Sequence, residues 1–250
     1  MAGVAGKVAF ITGGGSGIGR ATALELSSGG AKVGVCDLDM GAAEQTAALV
    51  AQASGEALAV HADVAQLGEV EAAARRVRER FGGIDILHSN AGIVNTVSFL
   101  DMTEERWDRM FAVHVGGLYN CVRAVLPGMI ERGWGRIVST SSYGALAGGG
   151  KVTHYCAAKA GIIGFTVAMA CELLGTGITV NTVAPGVIDT PMFRGAPDRW
   201  HEAIVRATPL GRPGKAEDIA RAVAFFAAEE ADFITGQVLS PNGGAYMVWT

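Results

Sequence analysis

With 250 residues, half of them apolar and only 18% charged, the chain is long enough to bury a large core without a disulfide or a metal to hold it together. Twenty basic against 24 acidic side chains give a net charge near −4 with no basic run, which argues against nucleic acid or an anionic membrane as partner. The 36 glycines are about twice the usual share of roughly 7%; they follow no Gly-X-Y repeat and form no linker, so collagen and disorder are excluded and close backbone approaches are implied. The elements then come in alternation. Lys7 to Ile11 reads as a buried strand and Gly17 to Gly29 as the helix after it. A second strand, Lys32 to Cys36, leads to a helix over Gly41 to Ser54, and a third, Ala57 to His61, to a charged helix over Gln66 to Phe81. Ile84 to His88 makes a fourth strand; Thr103 to Glu131 is helical, with Pro127 expected to kink or end it. Strand five, Arg136 to Thr140, precedes a helix over Tyr155 to Leu174, and strand six covers Ile178 to Val183. Pro191, Pro197, Pro209 and Pro213 mark an irregular excursion before a helix, Ala216 to Ala228, and a last strand, Gln237 to Leu239.

Strands buried on both faces and separated by helices predict an α/β fold: a doubly wound parallel seven-stranded sheet of Rossmann type, with helices on both faces. No composition break interrupts residues 1–250, so one domain is expected. Cys36, Cys121, Cys156 and Cys171 show no C-x-x-C pairing and lie among apolar residues, which suits reduced, buried thiols better than a disulfide or a metal. The first residues lack a signal pattern and no uninterrupted apolar run reaches membrane length, so a cytoplasmic protein is expected.

The first strand runs into Thr12-Gly-Gly-Gly-Ser-Gly-Ile-Gly19, and a helix follows. A dinucleotide pyrophosphate rests on a helix N-terminus, where free N–H groups and the macrodipole favour negative charge, and any Cβ on the loop holds it away. Gly13, Ser16, Gly17, Ile18 and Gly19 are therefore candidate cofactor contacts, although the spacing G-x-x-x-G-x-G also suits a tight strand-to-helix corner. Asp37 follows the second strand, where a carboxylate accepts both ribose hydroxyls and repels a 2′-phosphate. Two like charges about 4 Å apart cost on the order of 4 kcal/mol at intermediate dielectric. No Arg or Lys lies in the loop and Leu38 comes next, so NAD is the expected cofactor; the alternative is that Asp37 merely caps the next helix. Asp63 and Val64 after strand three, and Asn90, Ala91 and Gly92 after strand four, stand at strand ends where such sheets bind ligands.

Tyr155 and Lys159 lie four apart, on one helix face. A phenol is a poor base at neutral pH, and a nearby ammonium or an oxidised nicotinamide favours its anion. Ser142, at the end of strand five, is placed to hold a substrate oxygen as charge develops. Taken alone, the pair is also compatible with an aromatic anchor and a surface lysine.

In combination these motifs resemble the short-chain dehydrogenase/reductase family, of the single-domain type, over essentially the whole chain. The resemblance implies hydride transfer between nicotinamide and a carbinol carbon, with Tyr155 as acid/base. It implies that Lys159 holds the nicotinamide ribose and lowers the tyrosine pKa, and that Ser142 orients the substrate. After Pro185 and Gly186, Ile188 and Thr190 are implied to meet the cofactor carboxamide, and a homotetramer built on two long helices is implied. The chain departs from the family at His114, where an asparagine often supports a proton relay. The expectation is that His114 carries this relay, since an imidazole donates, accepts and titrates near neutrality; the alternative is a packing histidine bonded to a backbone carbonyl.

The segment from Val187 to Gly214 is the expected lid. Met192, Phe193 and Trp200, facing Val94 and Tyr143, form either an apolar substrate wall or a small satellite core. No arginine pair is placed to clamp an anion, so the expected partner is a small, uncharged ketone or secondary alcohol, cyclic or aromatic. A 3-oxoacyl thioester reductase stands second, because in this family it generally prefers NADPH; a non-catalytic NAD-binding regulator stands behind both, since it needs no Tyr155.

Overall fold

Successive residues of the first strand divide between two cores, and this sets the layers. In Val8–Thr12 (β1), Val8 and Phe10 are buried in one apolar cluster, Ala9 and Ile11 in another. The computed structural model describes residues 3–194 and 208–247. Within them the order is β1, Gly17–Ser28 (α1), Lys32–Asp37 (β2), Met40–Gln52 (α2), Ala57–His61 (β3), Leu67–Phe81 (α3) and Ile86–Ser89 (β4). There follow Glu104–Phe111 (α4), Gly117–Arg132 (α5), Gly135–Thr140 (β5), Thr153–Glu172 (α6), Ile178–Val183 (β6), Ala216–Ala227 (α7) and Val238–Leu239 (β7). The sheet runs β3-β2-β1-β4-β5-β6-β7, every neighbouring pair parallel. The doubly wound expectation is met.

One face is covered by α3, α5 and α6 through Val70, Val77, Leu118, Val122 and Ile162. The other is covered by α1, α2 and α7 through Ala23, Leu26, Ala43, Val223 and Phe226. Each fully buried Leu, Val or Phe contributes about 1.5–3 kcal/mol relative to exposure. The chain order turns back between β1 and β4, and the carboxyl ends of these two strands open the crevice that holds the site.

Several expectations need correcting. Pro127 does not end its helix: α5 runs through it, and the carbonyl it leaves unpaired, four residues back, belongs to exposed Arg123, where water is available. The long helix is instead interrupted earlier, by a π-helical turn, Ala112–Gly116, between α4 and α5. A small parallel pair, Ile188–Asp189 with Gly214–Lys215, closes the base of the lid segment. Cys36 and Cys121 are buried, but Cys156 is only partly so and Cys171 is exposed on the outer side of α6. That helix is long and apolar enough to cross a membrane by length and composition alone, yet it packs on β6 and holds His154 and Lys159 in buried positions.

Candidate active site

The glycine loop is built for close approach. Gly13 has φ +63°, and a Cβ there would lie 2.9 Å from Ala91 Cα; a Cβ on Gly19 would collide with the Gly13 carbonyl. Ser16 is the N-cap of α1 but makes no side-chain capping bond, and the first turn carries no acidic residue. The N–H groups at the head of α1 are thus left for an anion. Gly17 faces Thr190, since a Cβ there would lie 3.2 Å from the Thr190 methyl, and Ile18 packs against the cluster under α7. These features fit a dinucleotide pyrophosphate.

Asn90 braces this loop. Its Nδ2 donates to the Thr12 and Gly13 carbonyls (3.1 and 3.3 Å), while its Oδ1 accepts from the Thr140 hydroxyl (3.3 Å). The Thr12 hydroxyl in turn accepts from the Asn90 and Ala91 N–H groups. One amide therefore ties together the ends of β1, β4 and β5.

Asp37 ends β2 beside the glycine loop. Its Oδ2 accepts from Gly15 N–H (2.8 Å) and its Oδ1 from Asp39 N–H (3.0 Å). The cap of α2 is Asp39, which accepts from Ala42 N–H, so Asp37 is not spent on capping. Leu38 beside it is exposed. Asp63 is already engaged with Ala65 N–H and with the Arg109 guanidinium (3.1 Å), a pairing that sequence reasoning missed because α4 is distant in the chain. Val64 is buried and its carbonyl accepts from Asn120 of α5 (2.8 Å).

Ser142, Tyr155 and Lys159 come together at the end of β5 and the start of α6. The Ser142 hydroxyl lies close enough to the Tyr155 hydroxyl to favour its anion, and its Oγ accepts from Gly144 N–H. Lys159 is buried; its Nζ donates to the Thr140 carbonyl (2.7 Å) and lies 5.7 Å from the centre of the Tyr155 ring. Burial lowers the lysine to about 7. The tyrosine is raised by burial and pulled back by Ser142 rather than by Lys159. The expected depression of the phenol by the ammonium is thus not a property of the chain alone, because the ammonium is aimed at a backbone carbonyl.

Three buried histidines surround this centre, and two of them gave no sequence signal. His88, inside β4, is bonded through Nε2 to the Thr140 hydroxyl (2.9 Å), and His154 through Nε2 to Asn95 Oδ1 (2.8 Å). His114 sits in the π-helical turn, its ring edge-on to Tyr155 with centroids 5.6 Å apart, and its Nε2 donates to the Ile93 carbonyl (2.8 Å). All three Nδ1 atoms are buried without a partner among the described residues. Burial, reinforced by Lys159, lowers His88 and His114 to about 3. Burial thus favours the neutral ring of His114, so titration near neutrality no longer supports the relay expectation. Its geometry is that of the packing alternative, a neutral ring laid against Gly92, where a Cβ would lie 2.5 Å from Cε1.

At the substrate end, Tyr143 lies close enough to Tyr155 to act on it electrostatically, and Val94 is half-exposed at the mouth. The loop carrying Val94 is bound to the start of α6 by Val97 N–H to the Lys151 carbonyl and by Asn95 to His154. Met192 is exposed and Phe193 partly buried on a short helix, Pro191–Arg194. Trp200 lies outside the described residues, as do the last residues of the chain. Pro185 accepts from Tyr143 N–H, and Gly186 N–H donates to the Pro241 carbonyl. Ile188 is buried, Thr190 donates to its carbonyl, and buried Asn242 lies so near Gly186 that a Cβ there would collide with it.

A glycine cradle at a helix head, a carboxylate at the end of β2, and a Ser–Tyr–Lys set facing the same crevice define a nicotinamide-linked oxidoreductase. A family model described as enoyl-(acyl carrier protein) reductase matches residues 13–246. The chain belongs to the short-chain dehydrogenase/reductase family. It is 41% identical over 244 residues to the 3-oxoacyl-[acyl-carrier-protein] reductase FabG of Vibrio cholerae, covering 97% of this chain and 98% of the relative. It is 40% identical over 244 residues to the FabG reductase of Escherichia coli, with the same coverage. The solved structure of levodione reductase superposes with a TM-score of 0.92 at 35% identity, covering 96% of this chain and 97% of that one.

Two outcomes follow from the histidines. Both His88 and His114 have folded pKa values near 3, below the unfolded 6.5, so the unfolded chain binds more protons between these values. Stability is therefore retained above pH 6.5 and falls as pH drops toward 3; thermal unfolding followed by circular dichroism should show a shallower decline for His114→Asn than for the parent, and parallel slopes would contradict this. In turnover, His114→Ala should lower kcat about tenfold by loosening the Tyr155 and Ile93 geometry while leaving the inflection of the pH–rate profile in place; a displaced inflection would restore the relay.

Proposed function

We propose that the chain reduces a ketone to a secondary alcohol with NADH, the 3-oxo group of an acyl thioester being the first substrate class. The observation that carries the reaction type is the convergence of Ser142, Tyr155 and buried Lys159 on the crevice beside the glycine loop. A reduced nicotinamide held by the glycine loop and Asp37 would supply the hydride for the carbonyl carbon. The chain supplies the proton and the alignment: the Tyr155 hydroxyl protonates the carbonyl oxygen and Ser142 hydrogen-bonds that oxygen as its charge grows. Lys159, 5.7 Å from the ring centre, is the cation available to the phenolate that remains once the cofactor is bound, and in the reverse direction the same groups remove the alcohol proton.

The thioester is placed first because relatives 39–41% identical over nearly the whole chain carry the name 3-oxoacyl-[acyl-carrier-protein] reductase. This reverses the order expected from the sequence. The carrier-free, uncharged ketone is kept as a second reading, favoured by the likeness to levodione reductase. Asp37 supports NAD(H) in either case, since its carboxylate at the end of β2, held by Gly15 N–H, would accept ribose hydroxyls and repel a 2′-phosphate. Assembly as a homotetramer belongs to the same proposal: exposed Tyr119 and Ile130 on α5 and Val167 on α6 leave apolar surface on the two long helices.

The deciding assay follows nicotinamide absorbance with acetoacetyl-CoA and with a panel of cyclic and aromatic ketones, each with NADH and NADPH. The parent should turn over the thioester with NADH, and Tyr155→Phe should lose at least about 10²-fold. Turnover confined to the carrier-free ketones would sink the thioester assignment, and NAD binding without turnover of any carbonyl would sink the enzymatic one. Light scattering should give four times the 25.7 kDa chain mass, with Val167→Glu lowering it; a parent of monomer mass would refute the assembly.

A further inference from the structure

The ribose corner contains a cation that the glycine-loop pattern did not reveal. Arg20 is the first residue after Gly19 and sits on α1. Its Nη2 donates to the Gly15 carbonyl and its Nε to the Thr46 hydroxyl of α2 (3.0 Å). The Thr46 hydroxyl donates onward to the Ala42 carbonyl, one turn back. Asp37 holds the N–H of the same glycine (2.8 Å). Arg20 and Asp37 thus grip Gly15 at its two polar ends, one at the carbonyl and the other at the N–H. No side chain fits between them: a Cβ on Gly15 would lie 2.8 Å from Asp37 Oδ2 and 2.7 Å from Ala42 Cβ.

Among the described residues Arg20 forms no ion pair. Its hydrogen bonds go to neutral oxygens, so its full charge remains in the partly buried corner between α1 and α2. A guanidinium has five donors in a planar fork suited to phosphate oxygens, and this one uses only part of that capacity. Asp37 opposes it from the other side of the loop. Its carboxylate both offers acceptors to ribose hydroxyls and offsets the field that a 2′-phosphate would feel.

We propose that Arg20 is a second cofactor-selecting residue, a latent ligand for a 2′-phosphate that the Asp37 carboxylate alone keeps out. This rests on the NAD(H) reading above. With the carboxylate removed, the guanidinium turns from the Gly15 carbonyl toward the phosphate, and the same pocket accepts NADP(H) without any added basic residue.

The test measures binding rather than turnover. Calorimetry with NAD⁺ and NADP⁺ is carried out on the parent, Asp37→Ser, Asp37→Ser/Arg20→Gln and Asp37→Ser/Arg20→Lys. The parent should favour NAD⁺ by more than about tenfold, Asp37→Ser should bring the two affinities level or reverse them, and adding Arg20→Gln should cost NADP⁺ about tenfold while changing NAD⁺ by less than about threefold. The lysine variant, which keeps the charge, should retain most of the NADP⁺ affinity and its dependence on salt. Equal NADP⁺ affinity with and without Arg20 would overturn the assignment. So would an equal loss of both dinucleotides in the glutamine variant, which would make Arg20 a clamp on the loop and nothing more. A parent that already prefers NADP⁺ would overturn the NAD(H) reading itself and this inference with it.

Discussion

The side-chain amide of Asn90 is the joint on which the site depends. It stands where the strand order reverses, and its three polar contacts reach the ends of β1 and β5 from the end of β4. A parallel sheet leaves the carbonyls at its carboxyl edge without partners in the next strand. Here one planar amide satisfies two of them and also receives the Thr140 hydroxyl. The glycine loop, which has few side chains to stiffen it, is held by this brace together with Asp37 and Arg20 on Gly15. Because Thr140 also carries Lys159 on its carbonyl, the glycine loop and the Ser–Tyr–Lys set share a single support.

The same region concentrates titratable groups in a dry environment. Burial disfavours every charged form, and so lowers Lys159, His88 and His114 and raises Tyr155 together. The two histidines accordingly serve as neutral hydrogen-bond donors to Thr140 and Ile93, stiffening the walls of the centre without competing for its proton. Lysine and tyrosine, nearly matched in proton affinity in water, are thereby driven apart, so tuning the phenol toward neutrality is not a property of the chain alone.

Relatedness and local chemistry bear on different questions. Near-complete coverage by reductases carries the reaction class, an oxidoreductase of this family. The proposed cofactor choice rests instead on the one corner formed by Gly15, Arg20, Asp37 and Ala42, where a carboxylate and a guanidinium hold the two polar ends of one glycine.

Much was legible in the linear order. Alternating buried runs and amphipathic stretches implied the parallel sheet and its two helical layers, because burial on both faces leaves few other solutions. Tyr155 and Lys159 were legible as a pair because helical periodicity puts them on one face, and the glycine loop because only residues without Cβ permit such an approach. What the linear order hid was every interaction between elements far apart in the chain. Arg109 on Asp63, His88 behind Thr140 and Arg20 under Gly15 depend on which side chains the sheet and helices bring within 3 Å or so of one another. The state of His114 was decided the same way: its residue type suggests titration near neutrality, but only the folded environment removes the water that charging the ring requires.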